Sequence, residues 1–188
     1  MKLKYPVILG SQSPRRKELL KKLIPVFSVV PPMVDEAIPE NYTTQKAAAY
    51  LAVKKNDFFK NKKNKIIITA DTIVCIGNEI LGKPGDYAHA KKMLKKLSGN
   101  RHKVITGICI RCNGVQKKFT ETTTVYFKKL SEKDIDYYIQ NFKPYDKAGA
   151  YAIQEWIGYT GISKIEGCYY NVVGLPVFSL YKALQSFK

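Results

Sequence analysis

The chain has 188 residues, 45% of them hydrophobic and 25% charged, enough apolar material for the core of one domain or of one domain with two lobes. Lys and Arg number 32 against 15 Asp and Glu, a net charge of +17 that favours phosphate-bearing ligands over cationic ones. No run approaches the ~18 uninterrupted apolar residues of a membrane-spanning helix, and the apolar stretch in "MKLKYPVILGSQS" is too short for a secretory leader, so a soluble, cytoplasmic protein is expected.

In chain order, "PVILG" predicts a short buried strand, followed by a small-residue turn. Ser13 is a good N-cap and Pro14 a good first helical residue, because Pro lacks the N–H that this position leaves unpaired. Leu19, Leu20 and Leu23 then give an apolar stripe at helical spacing. Ser11, Ser13, Arg15 and Arg16 thus crowd a helix N-terminus, which already carries partial positive charge and free N–H groups. Two arginines there are unfavourable unless something negative binds, and a polyanion is the obvious candidate.

Residues 26–42 predict a strand and then a Pro-rich loop holding two adjacent acids, Asp35 and Glu36. A helix follows from about Thr43, with Ala47, Ala48, Leu51 and Val53 on or near its buried side. "KIIITADTIVCI" is a buried strand interrupted by polar Thr-Ala-Asp-Thr. Asp71, directly after the isoleucines, is costly to bury unless paired, hydrogen-bonded or metal-bound; capping a turn or pairing with a lysine would satisfy it equally. Lys83 in "LGKPGD" suits a loop lysine aimed at a phosphate, without the spacing of a P-loop.

The next helix is capped by Asp86 and closed by Gly99. "KVITGICIRC" predicts a strand. In "KFTETTTVYFKKL", Phe119, Glu121, Thr123, Val125 and Phe127 alternate with Thr120, Thr122 and Thr124 as in a half-exposed strand. Cys109 and Cys112 are three apart on a strand and so point to opposite faces. Zinc is therefore not expected, and Cys75, Cys109, Cys112 and Cys168 read as reduced thiols.

A helix with a capping-box-like Ser131 and Asp134 comes next. Then a Gly-rich region, "DKAGAYAIQEWIGYTG", carries the charged pair Asp146 and Lys147, and Gln154, whose amide suits the edge of a base as well as an ordinary surface. The last element is an amphipathic helix from Pro176. Strands and helices mix without a strict alternation, which predicts an α/β fold with a mixed sheet and flanking helices.

Read together, arginines at a helix N-terminus and separate acids suggest a phosphate clamp with a divalent cation, since Mg²⁺ prefers one or two carboxylates plus substrate phosphates and water. "SQSPRRKELL", "ITADTIV", "LGKP", "LSGNRHKVITG", "YDKAGAYAIQ" and "GCYYNVVGLP" occur in the order seen in the Maf family of nucleotide pyrophosphatases, which the chain resembles from about residue 7 to 184. "DKAGAYAIQ" is similar to the branch that prefers dTTP and UTP.

The resemblance implies a single domain over residues 1–188, elongated and two-lobed with a central cleft, related to the inosine triphosphate pyrophosphatases. It implies hydrolysis of a nucleoside triphosphate between the α and β phosphates with Mg²⁺ or Mn²⁺. By the same resemblance Asp71 is the catalytic proton acceptor. Arg15, Thr72 and Gln154 set substrate preference, while Ser11, Arg15, Arg16, Lys54 and Lys83 lie near the phosphates. Asp71 and Glu36 hold the metal. The family analogy extends to a homodimer, with no specific nucleic acid and no membrane as partner. Gly10 stands where alanine is usual, a change expected to be tolerated. Glu155 and Trp156 stand where small residues are common, Trp156 either lining the base pocket or filling a packing contact. Two other readings compete: a pyrophosphatase for modified nucleotides such as 7-methyl-GTP or ITP, and a basic nucleic-acid-binding or septum-regulating protein.

Overall fold

The computed structural model describes residues 3–188. Seven strands form one mixed sheet in the order β2-β1-β3-β5-β6-β7, with β4 on β3: β1 Val7–Gly10, β2 Ser28–Val29, β3 Ile66–Ile76, β4 Glu79–Leu81, β5 Arg101–Cys112, β6 Val115–Phe127 and β7 Ile162–Glu166. Strands β2, β1 and β3 run parallel, while β4 on β3 and β7 on β6 are antiparallel. The expected strand after Val26 is present only as the two exposed residues of β2; Pro31 and Pro32 end it, having no N–H for a ladder.

The helices are α1 Pro14–Leu23, α2 Thr44–Asp57, α3 Tyr87–Leu97, α4 Glu132–Phe142, α5 Trp156–Gly161, α6 Tyr169–Val173 and α7 Val177–Leu184. Their starts follow the expected chemistry. Ser13, Thr43 and Asp86 each accept a first-turn backbone N–H, and Ser131 with Asp134 forms a complete capping box. Among the described residues no helix is long and apolar enough to cross a membrane.

The chain divides into two compact units. The first contains the chain up to Thr72 with Thr106–Glu121 and Gly174–Lys188. Its core gathers Leu9, Leu20, Ile66, Ile68, Ile108, Ile110, Leu180 and Leu184. Here α2 lies close on β5, because a Cβ on Gly107 would stand 2.1 Å from the Ala48 carbonyl oxygen. The buried Asn56 amide joins the C-terminal end of α2 to the sheet, donating to Thr69 Oγ1 (3.2 Å) and the Cys109 carbonyl (3.2 Å) and accepting from Arg111 Nε (2.8 Å). Thr69 Oγ1 in turn donates to the Ala52 carbonyl at 2.7 Å.

The second unit contains Ile73–Ile105 and Thr122–Val173. Leu94, Leu97, Val104, Val125, Phe127, Tyr138, Ile139, Tyr151 and Ile157 form its core. On β6, Thr123, Val125 and Phe127 are buried while Thr120 is exposed, as the alternation predicts. Cys109 and Cys112 are buried free thiols, Cys168 is half-buried and free, and Cys75 is buried; burial pushes the Cys109 thiol up to about 12.

Candidate active site

Register places the site within the first unit. Gly10 pairs with Thr69, so Ser11 continues from β1 at the level where β3 reaches Ala70 and Asp71. Both positions lie at the carboxyl end of a parallel strand pair, where open α/β sheets bind ligands.

Asp71 is 8% exposed, as is Lys55 on the buried side of α2. Lys55 Nζ lies 2.5 Å from Asp71 Oδ1 and 2.8 Å from Glu36 Oε1, so one ammonium bridges a buried carboxylate and a half-exposed one. The bonds of Asn56 and Thr69 fix this end of α2 against β3 and thereby aim Lys55. On the α1 side, the Arg16 guanidinium is held at three places. Nη2 donates to Thr72 Oγ1 at 2.9 Å, Nε to the Gly174 carbonyl at 2.9 Å and Nη1 to Ser11 Oγ at 3.4 Å. Thr72 Oγ1 also hydrogen-bonds Thr106 Oγ1 at 3.0 Å. Ser11 Oγ accepts the Ser13 N–H at 3.2 Å, closing the turn that leads into α1.

Burial lowers the pKa of Arg16, and the positive charge of Arg15 acts the same way, while Asp71 and Glu36 oppose both. A guanidinium stays cationic regardless. The result is two carboxylates among Arg15, Arg16 and Lys55, with the arginines in the first turn of α1 as the sequence predicts.

Of the residues singled out from sequence, the structure brings Ser11, Arg16, Glu36, Asp71 and Thr72 into this group. Lys54 lies outside it: its Nζ pairs with the exposed Asp35 at 3.5 Å and lies over the Tyr50 ring, and the next residue, Lys55, reaches Asp71. The sequence did hold the signal. Lys55 continues the buried face of Ala48, Leu51 and Ala52 at helical spacing, so an inward-facing lysine had to find an acid.

Lys83 and Gln154 belong to the second unit. Lys83 is exposed between β4 and α3. Gln154 is half-buried, and its Oε1 is a buried acceptor with no hydrogen-bond partner. It occupies the third position of a tight turn in which the Glu155 N–H donates to the Ala152 carbonyl at 3.1 Å. Lys147 is 8% exposed and pairs with Asp146 at 2.7 Å and Glu155 at 3.4 Å. Trp156 packs beside Tyr137, ring centroids 4.8 Å apart, and against the second unit's core.

No group of three or more His, Cys, Asp or Glu side chains that could hold a metal ion occurs among the described residues. Asp71 and Glu36 are two carboxylates that meet at Lys55, and two carboxylates are compatible with Mg²⁺ or Mn²⁺ where substrate phosphates and water supply the other oxygens. A cationic group between Glu36 and Asp71 already matches the charge the position favours.

The fold and site define a class of α/β protein suited to a polyphosphate ligand. The fold is shared with the Ham1 protein of Staphylococcus aureus, at a TM-score of 0.52 and 16% identity over 97% of this chain and 100% of that one. The Maf-like protein family model matches residues 6–187, and the chain belongs to that family. Its relatives include a dTTP/UTP pyrophosphatase of Christiangramia forsetii, 50% identical over 96% of this chain and 93% of the relative. One from Porphyromonas gingivalis is 46% identical over 98% and 95%, respectively.

Proposed function

We propose that this chain hydrolyses nucleoside triphosphates between the α and β phosphates, with UTP and dTTP preferred, releasing the nucleoside monophosphate and pyrophosphate. The observation that carries the reading is Asp71, buried in the middle of β3 just past its isoleucines and held by Lys55 beside the Arg16–Thr72 pair, in a chain whose relatives at 46–50% identity bear that activity in their names.

In this reading a water oxygen attacks the α phosphorus, its proton passes to the Asp71 carboxylate, and the bond to the α–β bridging oxygen breaks as pyrophosphate leaves. Lys55 fixes Asp71 Oδ1 and so orients the carboxylate. The chemistry crowds negative charge at the transferring phosphoryl group, and fixed cations aimed there lower its barrier most. Arg15, Arg16 and Lys55 supply them, with Ser11 as a hydroxyl donor, and Lys54 and Lys83 are proposed as further phosphate contacts. A divalent cation held by Asp71 and Glu36 would add Lewis-acid stabilisation of the phosphate oxygens. Arg15 and Thr72 contribute to substrate preference. Uracil and thymine both present an N–H beside a carbonyl, and the unpartnered Gln154 Oε1 is an acceptor for that N–H.

The test is pyrophosphate release from UTP, dTTP, CTP, 7-methyl-GTP and ITP with Mg²⁺ or Mn²⁺. Release from UTP and dTTP, lost on chelation, is expected. Release only from 7-methyl-GTP or ITP overturns the assignment of Gln154, and no release from any overturns the proposal.

A further inference from the structure

The phenol of Tyr138 touches both ends of the turn that carries Gln154. Tyr138 is fully buried on α4. Its hydroxyl accepts the Ala152 N–H at 3.1 Å and donates to Glu155 Oε2 at 2.5 Å. These two residues are the first and last of the turn, which the Ala152 carbonyl closes with the Glu155 N–H. The other carboxylate oxygen, Glu155 Oε1, faces buried Lys147 at 3.4 Å, and Lys147 is held by Asp146.

The far side of the turn is closed as tightly. The Gly158 N–H donates to the Glu155 carbonyl at 2.8 Å, and a Cβ on Gly158 would come within 1.8 Å of the Ile153 carbonyl oxygen. Residues 152–155 are thus bonded at both ends and pressed from the side by the first turn of α5. One polar atom in this frame is left over: Gln154 Oε1, buried and without a partner. A buried acceptor kept unpaired costs free energy, and a backbone turn closed at both ends fixes the point from which the Gln154 side chain projects.

We propose that Tyr138 and Glu155 form a clamp, backed by Lys147, whose role is to hold the Gln154 amide in register for an N–H-bearing pyrimidine, making Glu155 and Tyr138 positioning residues for base selectivity. This rests on the reading of Gln154 as the base-reading residue. A preset acceptor favours uracil and thymine. It disfavours cytosine, whose ring nitrogen at the same place is an acceptor and would leave two lone pairs facing. A loosened Gln154 can rotate to present its N–H₂ instead, so the clamp acts chiefly by withholding that alternative.

The experiment measures kcat and KM for UTP and CTP in the full-length protein and in Gln154→Ala, Tyr138→Phe, Glu155→Ala and Glu155→Gln, with thermal melting of each. Tyr138→Phe keeps the ring stacked on Phe142 but removes the hydroxyl; Glu155→Ala removes the acceptor, and Glu155→Gln restores it. The expected result is a UTP-over-CTP preference, in kcat/KM, reduced about tenfold in Tyr138→Phe and Glu155→Ala, the scale of one well-placed hydrogen bond. KM for UTP carries the change, kcat at saturation moves less than about threefold, and Glu155→Gln recovers most of the preference. Adding Tyr138→Phe to Gln154→Ala brings no further loss, since Tyr138 acts through the Gln154 contact.

If Gln154→Ala abolishes selectivity while folded Tyr138→Phe and Glu155→Ala keep it, the clamp is wrong and the base-reading role stands. If Gln154→Ala itself leaves selectivity intact, the base-reading role falls and the clamp with it. Should Tyr138→Phe fail to fold, the Glu155→Ala and Glu155→Gln pair decides alone.

Discussion

Asp71 and Lys55 show how much one residue's neighbours matter. The acid is conspicuous in the sequence because it follows Ile66, Ile67, Ile68, Thr69 and Ala70, all fully buried. Its partner was harder to pick, because "LAVKK" offers two lysines and only helical phase separates them. Lys55→Gln is expected to slow pyrophosphate release from UTP about a hundredfold, by loss of a well-placed charged group. Lys54→Gln, which breaks an exposed pair with Asp35, should stay within about threefold. Equal losses in steady-state turnover would give Lys54 the same weight as Lys55.

His102 supplies a second prediction at this scale. It is 2% exposed, Nε2 meets the Tyr151 hydroxyl at 2.7 Å, Nδ1 has no hydrogen-bond partner, and burial lowers its pKa to about 4. The unfolded chain binds the proton near pH 6.5 and the folded one near 4. The neutral side chain's contribution is therefore complete above about pH 6.5 and is lost as pH falls towards 4. Between pH 7 and 5 this amounts to about 2 kcal/mol. Urea midpoints at the two pH values should show that loss in the parent protein and little of it in His102→Gln; an unchanged slope in the variant would assign the loss to other groups.

Among the elements, the helix starts were legible because each cap is a local bargain between one side chain and the next turn. The edges of the sheet were not. β2 is two residues long, β4 three, and β7 reads Ile-Ser-Lys-Ile-Glu with no clean alternation; pairing makes them strands, β2 on the short β1, β4 folded back on β3 through Gly77 and Asn78, and β7 on the long β6 from far along the chain. The 3-10 turns at Pro144–Asp146 and Ala148–Ala150 belong to the Gly-rich stretch whose path the sequence left open.

Glycines mark where elements nearly touch. Gly107→Ala drives a methyl into the Ala48 carbonyl of α2 and is expected to cost at least ~3 kcal/mol, whereas Gly85→Ala, with nothing within 4 Å, should be within ~0.5 kcal/mol of the parent. Gly10 is a lesser case: a Cβ there meets Phe59 Cε2 at 2.8 Å and Thr69 Cγ2 at 2.7 Å. Alanine at this place would require the Phe59 ring and the Thr69 methyl to give way. Thermal melts of the three variants check the ranking, and a Gly107→Ala protein as stable as Gly85→Ala would contradict the close approach of α2 to β5.

For the molecule as a whole, the chain divides into two compact units, each with its own core. Periodicity and propensity do not show that division, because non-sequential strand order leaves no local mark. The net charge of +17 is legible at once, and its consequence is kinetic. A positive surface draws in a polyanion, and salt screens that attraction beyond ~10 Å at 0.1 M. kcat/KM for UTP should therefore fall as NaCl rises from ~20 to ~300 mM while kcat changes less; a flat dependence would deny the field any part in substrate capture.

Attack by water at the α phosphorus, with Asp71 taking the proton, is probed by hydrolysing UTP in ¹⁸O-water. One ¹⁸O is expected in the released UMP and none in pyrophosphate, with Asp71→Asn folded but at least about a hundredfold slower. Label in the pyrophosphate, or an Asp71→Asn protein turning over at the parent rate, would contradict it.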